Sequence, residues 1–204
     1  MTSKIILNRR SIRNYDTSYK IPREELLNLI NTAQRSPSAG NLQPWRFIIV
    51  DTPEGKESIR KVMIGNYSQV DTSSAIIFVL VDLEKHKLAK NIFETAVEKG
   101  LMPEDVKERQ IANITSRYEN TSKELIQIES MFDAGLVAQN IMLLAKEKGL
   151  DTGPMHGFDA NKIYDVLKVD SNRYQIAVLI AIGKANEEGF PSVRLDVKDT
   201  VSFL

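Results

Sequence analysis

Apolar positions recur along this chain with two spacings, and the change from one to the other marks out its elements. After Pro22, the residues Leu26, Leu27, Ile30 and Ala33 recur at helical intervals. Pro22 suits a helix start, and Glu24 and Glu25 sit in the first turn, where the dipole favours anions. Ser36-Pro37 ends the helix, because a residue before proline avoids the helical region. Trp45–Val50 is a short run of β-formers and predicts a strand. Asp51-Thr52-Pro53 then leads into a second helix over Glu54–Met63, and Ala75–Val81, apolar at every position, predicts a buried strand.

Leu83–Glu129 is highly charged, with helical spacing and only Gly100 and Pro103 as strong breakers, which predicts two surface helices with Glu98–Glu129 as a solvated face. Met131–Lys148 differs. Its apolar residues cover most of a helix circumference, so it belongs in a core or a subunit interface, and Gly149 stops it. Asp159–Leu167 predicts a short helix and Arg173–Ile182 a long apolar strand. The last stretch, Lys184–Leu204, is polar with late Val197, Val201, Phe203 and Leu204, and is expected to pack along another surface. Helices and strands mix without strict alternation, which favours α+β over a doubly wound sheet. Trp45, at the head of an apolar strand, is expected in the core.

The 204 residues suit a single domain, 1–204, with 184–204 as a C-terminal extension. Charge balances at 27 basic and 27 acidic residues, leaving no global field for nucleic acid or an anionic membrane. Cysteine is absent, which removes disulfides, iron–sulfur ligation, thiolate zinc and a cysteine nucleophile, and agrees with a reducing cytoplasm. The first residues lack the apolar stretch of a secretory signal, so none is expected. The longest apolar runs fall short of the roughly 18–20 residues that span a bilayer, so a soluble, cytoplasmic protein is expected.

Several chemistries have no footing. Neither phosphate-cradling glycine motif nor a G-x-S-x-G elbow occurs. His86 and His156 stand seventy positions apart with no H-E-x-x-H, so no metal site is expected. An enzyme built this way would leave its hard chemistry to an organic cofactor.

Two segments carry positive signal. Arg9, Arg10 and Arg13 place three guanidinium groups within five residues, with the Ser11 hydroxyl among them. This is either a solvated basic turn or a phosphate clamp, since guanidinium forks pair with phosphate oxygens. Ser36–Trp45 holds two prolines that stiffen the loop, three small residues that admit close approach, and the amides Asn41 and Gln43. It is either a turn anchored by the sole tryptophan or a lining for a heteroaromatic edge.

In this order and spacing, R-R-S-x-R followed by S-P-S-x-x-N-x-Q-P-W resembles the opening of the FMN-dependent nitroreductases. The resemblance continues through Glu147-Lys148-Gly149-Leu150, then Asp151–Asp159, to a closing Pro191-Ser192-Val193-Arg194. It implies a nitroreductase-like fold, a mostly antiparallel central sheet flanked by helices, in an intertwined homodimer with FMN at the interface. Arg9, Arg10, Ser11, Arg13 and Arg194 would hold the phosphate and ribityl end. Pro37, Ser38, Ala39 and Asn41 would line the isoalloxazine bound by the partner subunit. Asn66 and Gln69 match amide positions facing its pyrimidine part. Pro154, Met155, His156 and Gly157 would pass beside the ring, a backbone N–H near His156 pointing at N5. The 184–204 extension would lie on the partner.

The implied activity is NAD(P)H-dependent reduction of nitroaromatics, quinones or related small acceptors by ping-pong hydride transfer, with no catalytic side chain because flavin N5 carries the hydride. Ser192 stands where the family often has lysine, and His156 where some members have glutamate. Leu83–Glu129 carries no motif, though this region usually shapes substrate access. A specialised flavoenzyme of the same fold, of dehalogenase or flavin-fragmenting type, and a non-catalytic flavin binder are the alternative readings.

Overall fold

The computed structural model describes residues 2–204. Its centre is a four-stranded sheet of β1 (Trp45–Val50), β2 (Ala75–Asp82), β3 (Asp151–Met155) and β4 (Tyr174–Gly183). The order is β1-β2-β4-β3, and each neighbouring pair is antiparallel. Helices α1 (Thr2–Asn8), α2 (Arg23–Ala33), α3 (Pro53–Arg60), α4 (Tyr67–Thr72), α5 (Ala89–Glu98), α6 (Glu104–Glu119), α7 (Lys123–Glu147) and α8 (Ile163–Leu167) surround it. The α+β class expected from the sequence pattern and the antiparallel sheet implied by the family resemblance are what the chain adopts.

β2 is buried at every position because both its faces are covered. Ala75, Ile77, Val79 and Val81 join α2 and α7 in one core, while Ile76, Phe78 and Leu80 join Ile12, Tyr15, Ile59, Val70 and Ile163 in the other. The period-2 alternation of a strand splits one apolar run between two cores. In α2, Leu26, Leu29, Ile30 and Ala33 are buried but Leu27 is 64% exposed. Leu27 lies about 100° round the helix from Leu26, at the edge of the buried stripe.

Several boundaries differ from the sequence reading for identifiable reasons. α3, capped by Thr52 Oγ1 accepting from the Gly55 N–H at 3.1 Å, stops at Arg60 and not Met63. The backbone of 62–64 is instead used against 157–159: the Ile64 N–H donates to the Gly157 carbonyl at 2.8 Å, and the Asp159 N–H to that of Val62 at 2.7 Å. α7 begins at Lys123, capped by Ser122, well ahead of the expected Met131. One side is core; Leu125, Ile128 and Phe132 on the other are exposed. α1, α4 and β3 were not expected as elements. β3 contains Gly153 and Pro154 and is held as an edge strand by β4 and by a bridge from Ser11 to Thr152.

The charged stretch 83–129 is mostly solvated but not wholly so. Ile114, Tyr118 and Ile126 bury with Ala89, Phe93 and Leu42 in a third, smaller core. After β4 the chain turns back along Asn14 and Tyr15, the Asn186 N–H donating to the Asn14 carbonyl at 3.0 Å. From Phe190 to Leu204 every residue is exposed.

Candidate functional site

The N-terminal basic segment and the tail meet. Arg9, Arg10, Ser11 and Arg13 line a cavity of about 260 Å³ together with Phe190, Pro191, Ser192 and Arg194. Its lining residues include no carboxylate. Arg10 Nη1 is committed to the carbonyls of Leu7 and Arg9, at 2.7 and 3.0 Å. The Arg13 guanidinium lies over the Phe190 ring, 5.3 Å from its centre. Glu187 Oε1 accepts from the backbone N–H groups of Arg13 and Asn14 at 2.6 and 3.3 Å, fixing the segment. Arg194 Nη1 donates to Ser192 Oγ at 2.9 Å. Arg9 Nη1 is buried with no hydrogen-bond partner. A buried guanidinium nitrogen without an acceptor costs free energy unless an anion satisfies it, so this donor set fits a phosphate.

A second group forms at the far end of β3. Asn66, at the head of α4, takes the left-handed conformation with φ 56°. Its Nδ2 donates to the His156 carbonyl at 2.7 Å, and its Oδ1 accepts from Gln69 Nε2 at 3.1 Å. Gln69 itself is buried. Gly157 has φ 117°, and a Cβ there would stand 2.6 Å from the Ile64 carbonyl oxygen, so the close approach of 157 to 64 requires glycine. The exposed His156 ring places Nε2 2.8 Å from the Ala177 carbonyl, which can only accept, so Nε2 carries the proton. β3 links the groups: the Ile12 N–H donates to the Thr152 carbonyl at 3.1 Å, and His156 lies four steps along the chain from Thr152, about 13 Å in extended backbone.

The loop 36–45 lies elsewhere. Pro37, Ser38 and Ala39 line an open apolar groove of about 720 Å³ with Ile128, Phe132 and Leu136 of α7. Gly40, Asn41 and Gln43 have φ of 60°, 55° and 47°. Holding two non-glycine residues there stores strain, a pattern that gathers at functional sites. Leu42 and Trp45, both buried, anchor the loop, and Ser38 Oγ accepts from the Gln43 N–H at 3.0 Å. Asn140 Nδ2 donates to Ser36 Oγ at 2.6 Å. Thus one chain brings together Arg9, Arg10, Ser11, Arg13 and Arg194, and separately Asn66, Gln69, His156 and Gly157 with Pro154 and Met155 of β3. Pro37, Ser38 and Ala39 line a different groove from the basic cavity, and among the described residues they and Asn41 form no hydrogen bond with either group.

Residues 6–184 match the model of the nitroreductase family. The chain belongs to the nitroreductase family. It is 41% identical over 199 residues to YdgI of Bacillus subtilis, named as an NAD(P)H nitroreductase, covering 98% of this chain and 95% of that one. It is 34% identical over 201 residues to the CLA biosynthesis enone reductase of Lactiplantibacillus plantarum, covering 98% and 93%. The crystal structure of an Exiguobacterium sibiricum nitroreductase in complex with FMN superposes with a TM-score of 0.97 at 40% identity, over 100% of this chain and 97% of that one.

Outside the motifs of the sequence stand Glu187 and Phe190, which organise the basic segment from 174 and 177 positions away, and Asp133, whose carboxylate accepts from the Ala39 N–H. The Asp133 signal is present as the one carboxylate in the mostly apolar stretch Met131–Ala145 of α7.

Proposed function

We propose that the chain is an NAD(P)H-dependent FMN oxidoreductase that reduces small acceptors of the nitroaromatic, quinone or enone type in a ping-pong cycle, as a cytoplasmic homodimer. The observation that carries the reading is the cavity that Arg9, with its buried, partnerless Nη1, lines together with Arg10, Arg13 and Arg194. The names of the two relatives and the FMN complex of the Exiguobacterium neighbour support it.

Arg9, Arg10, Ser11, Arg13 and Arg194 would bind the phosphate and ribityl end. With Ser192 in the lysine position, Arg194 is the cation that the tail contributes to this cavity. Asn66, Gln69 and the backbone of Pro154, Met155, His156 and Gly157 would meet the heteroaromatic ring, their mutual hydrogen bonds already fixing donor and acceptor directions. FMN, when bound, supplies the centre that accepts hydride from the nicotinamide and passes it to the acceptor. We assign no catalytic side chain.

Pro37, Ser38, Ala39 and Asn41 would line the ring held by the other subunit, in keeping with their separation from the basic cavity in one chain. The exposed Leu125, Ile128 and Phe132 of α7 and the exposed Val193, Leu195 and Phe203 of the 184–204 tail are the apolar surface this dimer would cover.

The test is FMN titration of the purified protein and of the Arg13→Ala/Arg194→Ala double variant, with acceptor reduction followed by NAD(P)H consumption. Wild type should bind one FMN per chain and turn over. Each lost charge-assisted contact should weaken FMN binding about ten- to a hundredfold. A double variant that retains stoichiometric flavin would show the phosphate assignment wrong.

A further inference from the structure

Lys85 is among the largest side chains shut off from solvent, a rare place for lysine. It stands in the single turn Lys85–Leu88 between β2 and α5. Its Nζ lies 3.7 Å from Asp133 Oδ2 and 3.6 Å from Glu129 Oε2, both on α7, and 5.5 Å from the centre of the Tyr118 ring. It makes no hydrogen bond. Asp133, 2% exposed, presents its two oxygens to the Ala39 N–H at 3.2 and 3.3 Å. A buried cation and a buried carboxylate therefore connect the β2–α5 turn, α7 and the loop that begins at Pro37. That loop is the strained one, with Asn41 and Gln43 at positive φ.

We propose that Lys85 is a positioning residue for the ring-lining loop: its buried ammonium holds the Asp133 carboxylate on the Ala39 N–H, and that contact keeps Pro37–Asn41 in the flavin-competent conformation. The inference rests on the reading that this loop lines the flavin.

Burial pushes the Asp133 carboxyl up, Lys85 opposes that, and Glu129 adds to it. Burial likewise lowers Lys85, opposed first by Asp133 and then by Glu129. Without Lys85, burial and Glu129 both favour a protonated carboxyl, a weaker acceptor for the Ala39 N–H. The other charged or titratable groups around the pair come from α6 and the β2–α5 turn. Arg117 and Tyr118 both donate to Glu129, and His86 stacks on Tyr118 at 5.6 Å. From the loop itself, the Asp133 oxygens meet a backbone N–H of Ala39.

The test compares FMN dissociation constants from pH 6 to 9 for wild type, Lys85→Met, Asp133→Asn and the double variant, with folding checked by circular dichroism. Affinities are compared as ratios to wild type at each pH, which cancels the titration of the FMN phosphate near pH 6. Lys85→Met should bind FMN about tenfold more weakly at low pH and recover as the pH rises and Asp133 ionises. In the Asp133→Asn background, whose amide is a neutral acceptor at every pH, adding Lys85→Met should change affinity less than about threefold and leave no pH slope. That compensation would not follow from a merely structural role for Lys85. A Lys85→Met protein that binds like wild type at every pH, or that loses equal affinity in both backgrounds, overturns the proposal. If Lys85→Met does not fold, Lys85→Gln takes its place in the same comparison, and Asp133→Asn must itself lose fivefold or more in FMN affinity; a folded Asp133→Asn variant that loses less overturns the proposal. A folded wild type that takes up no FMN overturns the proposed function instead, so the two failures are distinguishable.

Discussion

The side-chain amide of Asn66 donates to the backbone carbonyl of His156 at 2.7 Å, across 90 positions of sequence. This one contact ties the start of α4 to the end of β3 and sets the direction of the segment proposed to pass beside the flavin. Asn66→Ala removes the donor and puts at φ 56° a residue that lacks asparagine's tolerance of the left-handed region. FMN binding should weaken by about 1–2 kcal/mol, five- to thirtyfold. Asn66→Gly accepts the same φ, so an equal loss in both variants, read by flavin titration, assigns it to the hydrogen bond and not to strain.

Gly153 is where the basic segment crosses β3. A Cβ there would stand 2.3 Å from the Ile12 carbonyl oxygen and 3.1 Å from the Tyr15 hydroxyl, neither of which has room to retreat in a buried core. Gly153→Ala should destabilise the fold by about 1–3 kcal/mol and weaken FMN binding as well, since Arg9–Arg13 must shift. A stable variant with native FMN affinity would contradict the account of this crossing.

Asp82, fully buried at the end of β2, accepts from Arg173 at 3.0 and 2.8 Å and from the Glu84 N–H at 2.9 Å, with Arg46 at 3.5 Å. Asp82→Ala takes the acceptor from the Glu84 N–H and from Arg173 and Arg46, whose outer ends stay in contact with solvent, and should cost about 1.5–3 kcal/mol, a fall in Tm of roughly 3–12 °C. A thermal scan within about 2 °C of wild type would contradict it.

Lys56 gives a pH signature. Burial, with Lys20 adding to it, holds its ammonium at about 8 against an ordinary 10.5, while its Nζ donates to the Ser73 carbonyl. The folded protein sheds this proton near pH 8, whereas the unfolded chain keeps it to about 10.5, so the lysine's contribution to stability rises with pH between those values. Lys56→Met should therefore be favoured over wild type most strongly below pH 8, and the Tm difference should move toward wild type by pH 10. A difference independent of pH would remove Lys56 from the account.

Much of this fold is legible in the sequence wherever a local pattern and its tertiary burial coincide. β1, β2 and β4 are runs of β-formers, and α2 and α7 carry helical spacing, so their existence follows from the residues alone. β3 does not: Gly153 and Pro154 argue against a strand, and only pairing with β4 and the bridge to Ser11 hold it. α4 is too short for a period to show, and Ile114 and Tyr118 are hidden among charges because only one narrow stripe of α6 turns inward. At the site, Arg9–Arg13 and the Ser36–Trp45 loop are legible as motifs, since their composition is unusual locally. The Lys85–Asp133 pair is not, because what makes it unusual is burial between three elements distant in sequence.

The central claim is tested most directly by anaerobic titration of the purified, FMN-reconstituted protein with NADH and with NADPH, followed in the flavin absorption bands. The account predicts that one or both nicotinamides bleach the flavin stoichiometrically and that adding a quinone, nitroaromatic or enone restores the colour. A folded protein that takes up no FMN, or one whose bound flavin neither nicotinamide reduces, would contradict it.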